Sequence, residues 1–172
     1  MRRLHLFNPH RLARAAMGHR LGGFIYGTIV ALSVIVGGAR AYPHEPGHIA
    51  VLVAVTCIVF WLAHVYADGI GQSVARNERL SFAELKEVAR DEASILEAAV
   101  PPIIPLLLGA LGVFSERSAV WIAFALGFVV LAAQGLVFAR IERYGSLATV
   151  AIVAANIGLG SILVLLKLFV SH

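Results

Sequence analysis

The chain has 172 residues, 59% of them hydrophobic and only 14% charged, with a mean hydropathy of +0.85. A soluble domain carries about 25% charged residues, so this composition excludes a water-soluble globular protein and leaves lipid to cover most of the surface. The net charge of +4 does not indicate a nucleic-acid partner, because the basic residues sit between apolar runs in the pattern that orients membrane proteins.

Residues 1–20 form a basic N-terminal segment expected to lie in the cytoplasm. Asn8-Pro9 has the chemistry of an N-cap followed by Pro at the first helical position. His10 to Arg20 then reads as a short basic amphipathic helix on the membrane surface. Residues 21–172 form one membrane domain. A span needs about 20 mostly apolar residues, and five stretches qualify: Leu21 to Ala39, Ile49 to about Gln72, about Ile95 to Phe114, Ala119 to Phe138, and Leu147 to Leu168. The solvent forces helix, since an isolated segment in lipid must satisfy its own backbone. The first apolar stretch is longer than a signal-peptide core and Ala39-Arg40-Ala41 is a weak cleavage site, so it is expected to be retained as a span. Cys57, the single cysteine, lies inside span two and has no partner for an internal disulfide.

A linker at about 73–94 separates spans two and three. Ser81-Phe82-Ala83-Glu84 has the form of a capping box. It predicts an amphipathic cytoplasmic helix whose apolar stripe is Phe82, Leu85, Val88, Ala89, Ile95, Leu96 and Ala99. Pro101, Pro102 and Pro105 are expected to kink or restart that helix as it enters the bilayer. The expected fold is therefore all-α: a polytopic membrane protein of five transmembrane helices plus the linker helix. The three segments that fall on the N-terminal side hold 11 of the 14 Lys and Arg residues, Arg40, Arg117 and Lys167 being the others. That asymmetry predicts a multi-pass cell-membrane protein with its N-terminus inside and its C-terminus outside.

The chemistry-bearing residues are few, and none forms a motif of enzymatic catalysis or a cofactor box. His44-Glu45-Pro46-Gly47-His48 matches the HExxH spacing, but Pro43, Pro46 and Gly47 oppose the helix that would put both histidines on one face. An external turn, with at most loose metal capture by His44, Glu45 and His48, is expected there. His64 and Asp68 are four residues apart on span two and share a face. Ionisable groups inside spans tend to line cavities or ion paths; the alternative is that Asp68 reaches interfacial water with His64 hydrogen-bonded to it. Glu92 falls within the linker's apolar stripe and Glu97 enters span three just before the prolines. Carboxylates at those places suit a hard or borderline divalent cation. Gln134 and Asn156 are isolated amides suited to interhelical hydrogen bonds, and Gly23 and Gly27 form a GxxxG pair suited to close helix approach.

The order of these features resembles the vacuolar iron transporter family, which exchanges cytosolic ferrous iron or manganese for protons through five spans. Ile25-Tyr26-Gly27 followed by Ala31-Leu32-Ser33-Val34, Leu62-Ala63 followed by Ala67 to Gln72, Glu92 running into Pro101 to Leu106, and Gly135 to Arg140 with Gly158 carry the likeness. It covers most of the chain as pattern and not as identity. The resemblance implies metal ligation by His64, Asp68, Gln72, Glu92 and Glu97, with Gln72 where the family has a methionine. It also implies a homodimer closed around span one, which Gly23 and Gly27 would serve. Thr28-Ile29 stands where the family has an Asn-Asp pair, and the linker is shorter. Two functions are expected from this: a small exchanger of divalent cations for protons, or a transport-inactive membrane scaffold.

Overall fold

The computed structural model describes residues 9–170. Seven helices are present among them: α1 (Pro9–Ala41), α2 (Pro46–Arg76), α3 (Phe82–Asp91), α4 (Ser94–Glu97), α5 (Val100–Ala110), α6 (Glu116–Ile141) and α7 (Ser146–Val170). Four of them are long and apolar enough to cross a membrane: Met17–Ala41 of α1, Pro46–Arg76 of α2, Glu116–Ile141 of α6 and Ser146–Leu166 of α7. A fifth crossing exists only if Phe82–Glu97 and Val100–Ala110, whose axes differ by 52°, count together. At 1.5 Å per residue α5 alone is about 16 Å long, half a hydrocarbon core. The stretch from about Ile95 to Phe114, expected to kink or restart at its prolines, is a broken helix that ends at Ala110. Pro101 and Pro102 occupy the start of α5, where their missing N–H groups and fixed φ are tolerated, so the expected restart occurs there. α5 closes at Ala110, and Gly112 with φ 76° turns the chain toward α6.

The basic segment 9–20 is not a separate surface helix. It continues without interruption into span one as the first third of α1. Its proposed N-cap, Asn8, lies outside the described residues. α2 stops at Asn77, which takes the left-handed conformation (φ 53°) that short amide side chains tolerate.

α3 starts with the full capping box. Ser81 Oγ accepts from the Glu84 backbone N–H at 3.3 Å, and the Glu84 carboxylate accepts from the Ser81 N–H at 2.8 Å. Those bonds, the backbone one foremost, hold the Glu84 carboxyl below its usual range. A depressed carboxylate stabilises the folded helix above its unfolded pKa and loses that contribution as pH falls through the folded value. Amide protection across 82–91 is therefore expected to decline on acidification below the ordinary carboxylate range. Ser81→Ala should remove about 1 kcal/mol of local helix stability at neutral pH, which hydrogen exchange measures; unchanged protection in the variant would refute the cap's role. The apolar stripe is only partly buried. Val88 is 3% exposed, whereas Phe82 at the same helix's start is 84% exposed.

α3 is tied to α2 by the Trp61 indole N–H donating to the Ala89 carbonyl at 2.9 Å and by Arg76 on Glu84 at 2.9 Å. The core is built from α1, α2, α5 and α6 around Ala31, Ile35, Ile49, Val53, Leu106 and Ala123. A smaller cluster of Ile29, Leu32 and Leu131 extends toward α7 through Val164. Asn156 donates to the Leu131 carbonyl at 3.3 Å, the interhelical role expected of it. Gly23 and Gly27 serve close approach within the chain. A Cβ at Gly27 would lie 2.7 Å from the Ile95 carbonyl oxygen and 2.9 Å from Ala98 Cβ, and one at Gly23 would meet Ser94. The glycine face of span one is therefore covered by α4 of the same molecule, and a homodimer through span one would need a different face, such as that of Gly22 and Tyr26, which is exposed.

Candidate metal centre

Close packing of α1 on α4 brings three ligating side chains together at the end of the bundle where α2 stops and α3 begins. His19, Asp68 and Glu92 each present one ligand atom, all within 4.8 Å of one another. His19 precedes Gly23 and Gly27 by one and two helical repeats of four residues. It therefore extends the stripe that contacts the 92–98 segment. Asp68 comes from the last turns of α2, and Glu92 caps the C-terminus of α3 with its N–H on the Val88 carbonyl at 3.0 Å.

Glu92 is the decisive member. Its side chain is 4% exposed, and its Oε1 lies 2.6 Å from His19 Nε2. Taking a carboxylate out of water costs several kcal/mol unless it is paired. His19, with a half-exposed side chain, supplies that pairing. One proton must lie on the Nε2–Oε1 line, whichever atom owns it, because a contact this short between two acceptor lone pairs would be repulsive. A cation ligated by both atoms replaces that proton. With metal–ligand distances of about 2.1 Å, ligands in a common shell lie about 3 to 4 Å apart. Asp68 is exposed, so solvent leaves its carboxylate room to change rotamer. One imidazole and two carboxylates balance a divalent charge and leave positions for water. That donor set matches Mn²⁺ or Fe²⁺ better than the soft ions that thiolates select.

The other expected ligands lie elsewhere. His64 shares the turn of α2 with Asp68 but does not join it. Its Nδ1–H donates to the Phe60 carbonyl at 2.9 Å, and its ring packs against Tyr26 with centroids 5.2 Å apart. Gln72 lines a cleft of about 210 Å³ between α2 and α3 with Arg76, Glu84, Glu87 and Asp91. Glu97 receives the Arg20 guanidinium on both oxygens, at 3.1 and 3.0 Å. At the opposite end of the bundle His44 pairs with Glu116 at 2.9 Å and His48 with Glu45 at 3.3 Å, the His48 ring stacking on Tyr42. His44 precedes α2 while His48 lies in its first turn, so the HExxH spacing never becomes one helical face. His19 was not among the residues expected to ligate. Its signal was the four-residue spacing to Gly23 and Gly27, hidden while the basic segment was taken as separate from span one.

No family model matches the sequence, and no curated protein or solved structure is significantly similar to it. The site itself therefore carries the functional argument. Two further positions bear on it. Thr28, fully buried, donates its hydroxyl to the Phe24 carbonyl at 2.8 Å within its own helix. Among the described residues, the buried polar side chains are Thr28, Glu92 and Ser94, all on or beside the seam between α1 and α4.

Proposed function

We propose that the protein is a divalent-cation protein of the cell membrane that binds Mn²⁺ or Fe²⁺ through His19, Asp68 and Glu92 and exchanges it for protons. The buried Glu92 carboxylate, joined to His19 by a single proton, carries this reading. Metal ligation requires Nε2 without its proton, so binding and deprotonation are one event. Lys and Arg bias supports the metal centre's end of the bundle as the cytoplasmic one, with the N-terminus inside and the C-terminus outside. The cation is then taken from the cytosol, and the proton it displaces is the coupling ion. The order of spans and the broken proline-bearing segment agree with the vacuolar iron transporter resemblance, whose remaining likeness is the carboxylate-bearing linker.

A second reading has an observation of its own. Beyond Thr28 the interior between α1, α2, α5 and α6 is apolar, with Ile35, Ile49, Val53 and Leu106 fully buried. Among the described residues, an ion crossing there would meet no fully buried polar side chain beyond Thr28. That favours a metal-responsive scaffold that binds the cation and transports nothing. Proteoliposomes loaded with a pH-sensing dye separate the two. An exchanger shows Mn²⁺ movement coupled to opposite proton movement, abolished in Glu92→Gln. Saturable Mn²⁺ binding with no flux establishes the scaffold. A parent protein that neither binds nor moves Mn²⁺ or Fe²⁺ refutes both.

A further inference from the structure

On the other side of α1 from the metal centre, a wedge of about 410 Å³ opens between α1, α4 and α6. Its walls are unlike those of the apolar grooves farther along the bundle. Met17, Leu21 and Phe24 form a hydrocarbon face, and Arg20, Glu97, Ser94 and Gln134 supply polar groups. Ser94 is 1% exposed, and its Oγ is the buried side-chain oxygen without a hydrogen-bond partner among the described residues. An unpaired buried hydroxyl costs about 1 to 3 kcal/mol, so a group that reaches it gains more than an ordinary hydrogen bond. Arg20 and Glu97, paired with each other, are both about half exposed, and Arg20 lies three residues after Met17, where the membrane-competent stretch of α1 begins.

The charges restrict the occupant. A simple anion drawn to Arg20 meets the Glu97 carboxylate, and a simple cation drawn to Glu97 meets the guanidinium. A headgroup that carries both signs faces each with its opposite. A phosphate suits the planar guanidinium, which can donate to it bidentately. A primary ammonium offers three N–H donors to a carboxylate, whereas a quaternary one offers none. The hydrocarbon wall requires tails.

We propose that this wedge is a binding site for phosphatidylethanolamine, with the lipid phosphate on Arg20 and Ser94, the ammonium on Glu97 and the acyl chains along Leu21 and Phe24. It uses none of the metal ligands and stands independently of the exchange reading.

The test is lipid retention by the full-length protein in nanodiscs of mixed phosphatidylcholine, phosphatidylethanolamine and phosphatidylglycerol, followed by extraction into detergent and mass spectrometry of the bound lipid. The parent is expected to enrich phosphatidylethanolamine about tenfold over its bulk fraction, the effect of one charge-assisted hydrogen bond. Glu97→Gln should transfer the preference to phosphatidylglycerol, because the ammonium loses its partner and an anion loses its repulsion. Arg20→Gln should lose both lipids. Lys86→Gln, exposed on α3 and outside the wedge, should retain the parent's selectivity and serves as the folded control. Equal retention of all three lipids by the parent, or an unchanged preference in Glu97→Gln, would overturn the proposal. So would full displacement by millimolar phosphoethanolamine, which would identify a soluble zwitterion as the ligand.

Discussion

Glu92→Gln is expected to weaken Mn²⁺ binding by about 100-fold or more while leaving the fold as stable as the parent or more so. The two halves of this expectation come from the same geometry. Even groups that only hydrogen-bond to metal ligands change affinity by about 10- to 100-fold, so removing a carboxylate proposed to bind the ion directly should reach the top of that range. The amide is isosteric with the carboxylate and its oxygen still accepts from His19 Nε2, which lies 2.6 Å from the carboxylate now. What disappears is a charge on a side chain that is only 4% exposed, and His19, half exposed, reaches water, so no uncompensated buried charge is left behind. Calorimetry of Mn²⁺ binding in nanodiscs, with a thermal melt on the same preparation, reads both. Loss of binding accompanied by a lowered melting temperature would mean that Glu92 acts as a structural pin and not as a ligand. His19→Ala should affect Zn²⁺ and Ni²⁺ more than Mn²⁺, because imidazole is the ligand that borderline ions prefer. The proton released on binding should vanish in that variant.

The long apolar helices and the break at Pro101–Pro102 were legible because each follows from local chemistry. Lipid forces helix on any apolar run, and proline removes the donor that would have continued it. The Ser81–Glu84 capping box is equally local. The site was legible only in part. Asp68 and Glu92 were read as ligands from ionisable groups placed in apolar surroundings, and they do converge. His64 misled because helical spacing assigns a face but not a rotamer, and its ring nitrogen turns back to Phe60. Glu97 is matched to a residue 77 positions away, Arg20, a pairing that only the fold creates. His19 needed knowledge that α1 runs unbroken from Pro9. Gly23 and Gly27 were recognised as a close-approach surface, but the sequence does not say whether the approaching helix belongs to the same molecule.

That glycine surface yields the second large effect. Gly27→Ala is expected to destabilise the protein by about 1 to 3 kcal/mol, the usual range for overpacking a tight core, and to lose the metal site without altering any ligand. The added methyl would lie 2.7 Å from the Ile95 carbonyl oxygen, 3.0 Å from its Cα and 2.9 Å from Ala98 Cβ. Two of those three atoms are backbone, so no rotamer change relieves the clash, and α4 must move away from α1 as a body. Glu92 lies two residues before α4 and His19 eight residues before Gly27 on the same helix. Separating the helices therefore pulls the carboxylate from the imidazole. Gly23→Ala is the informative contrast. Its Cβ would collide chiefly with Ser94 Oγ, the next contacts lying at 3.6 Å, and a hydroxyl on one rotatable bond can swing aside. The expected order is Gly23→Ala close to the parent and Gly27→Ala far below it, in both melting temperature and Mn²⁺ affinity. Ala98→Gly combined with Gly27→Ala should recover only part of the loss, since it removes the methyl contact and leaves the carbonyl one. Equal, small effects at both glycines would show that the α1–α4 seam yields easily, and the site could then not depend on that seam for its geometry.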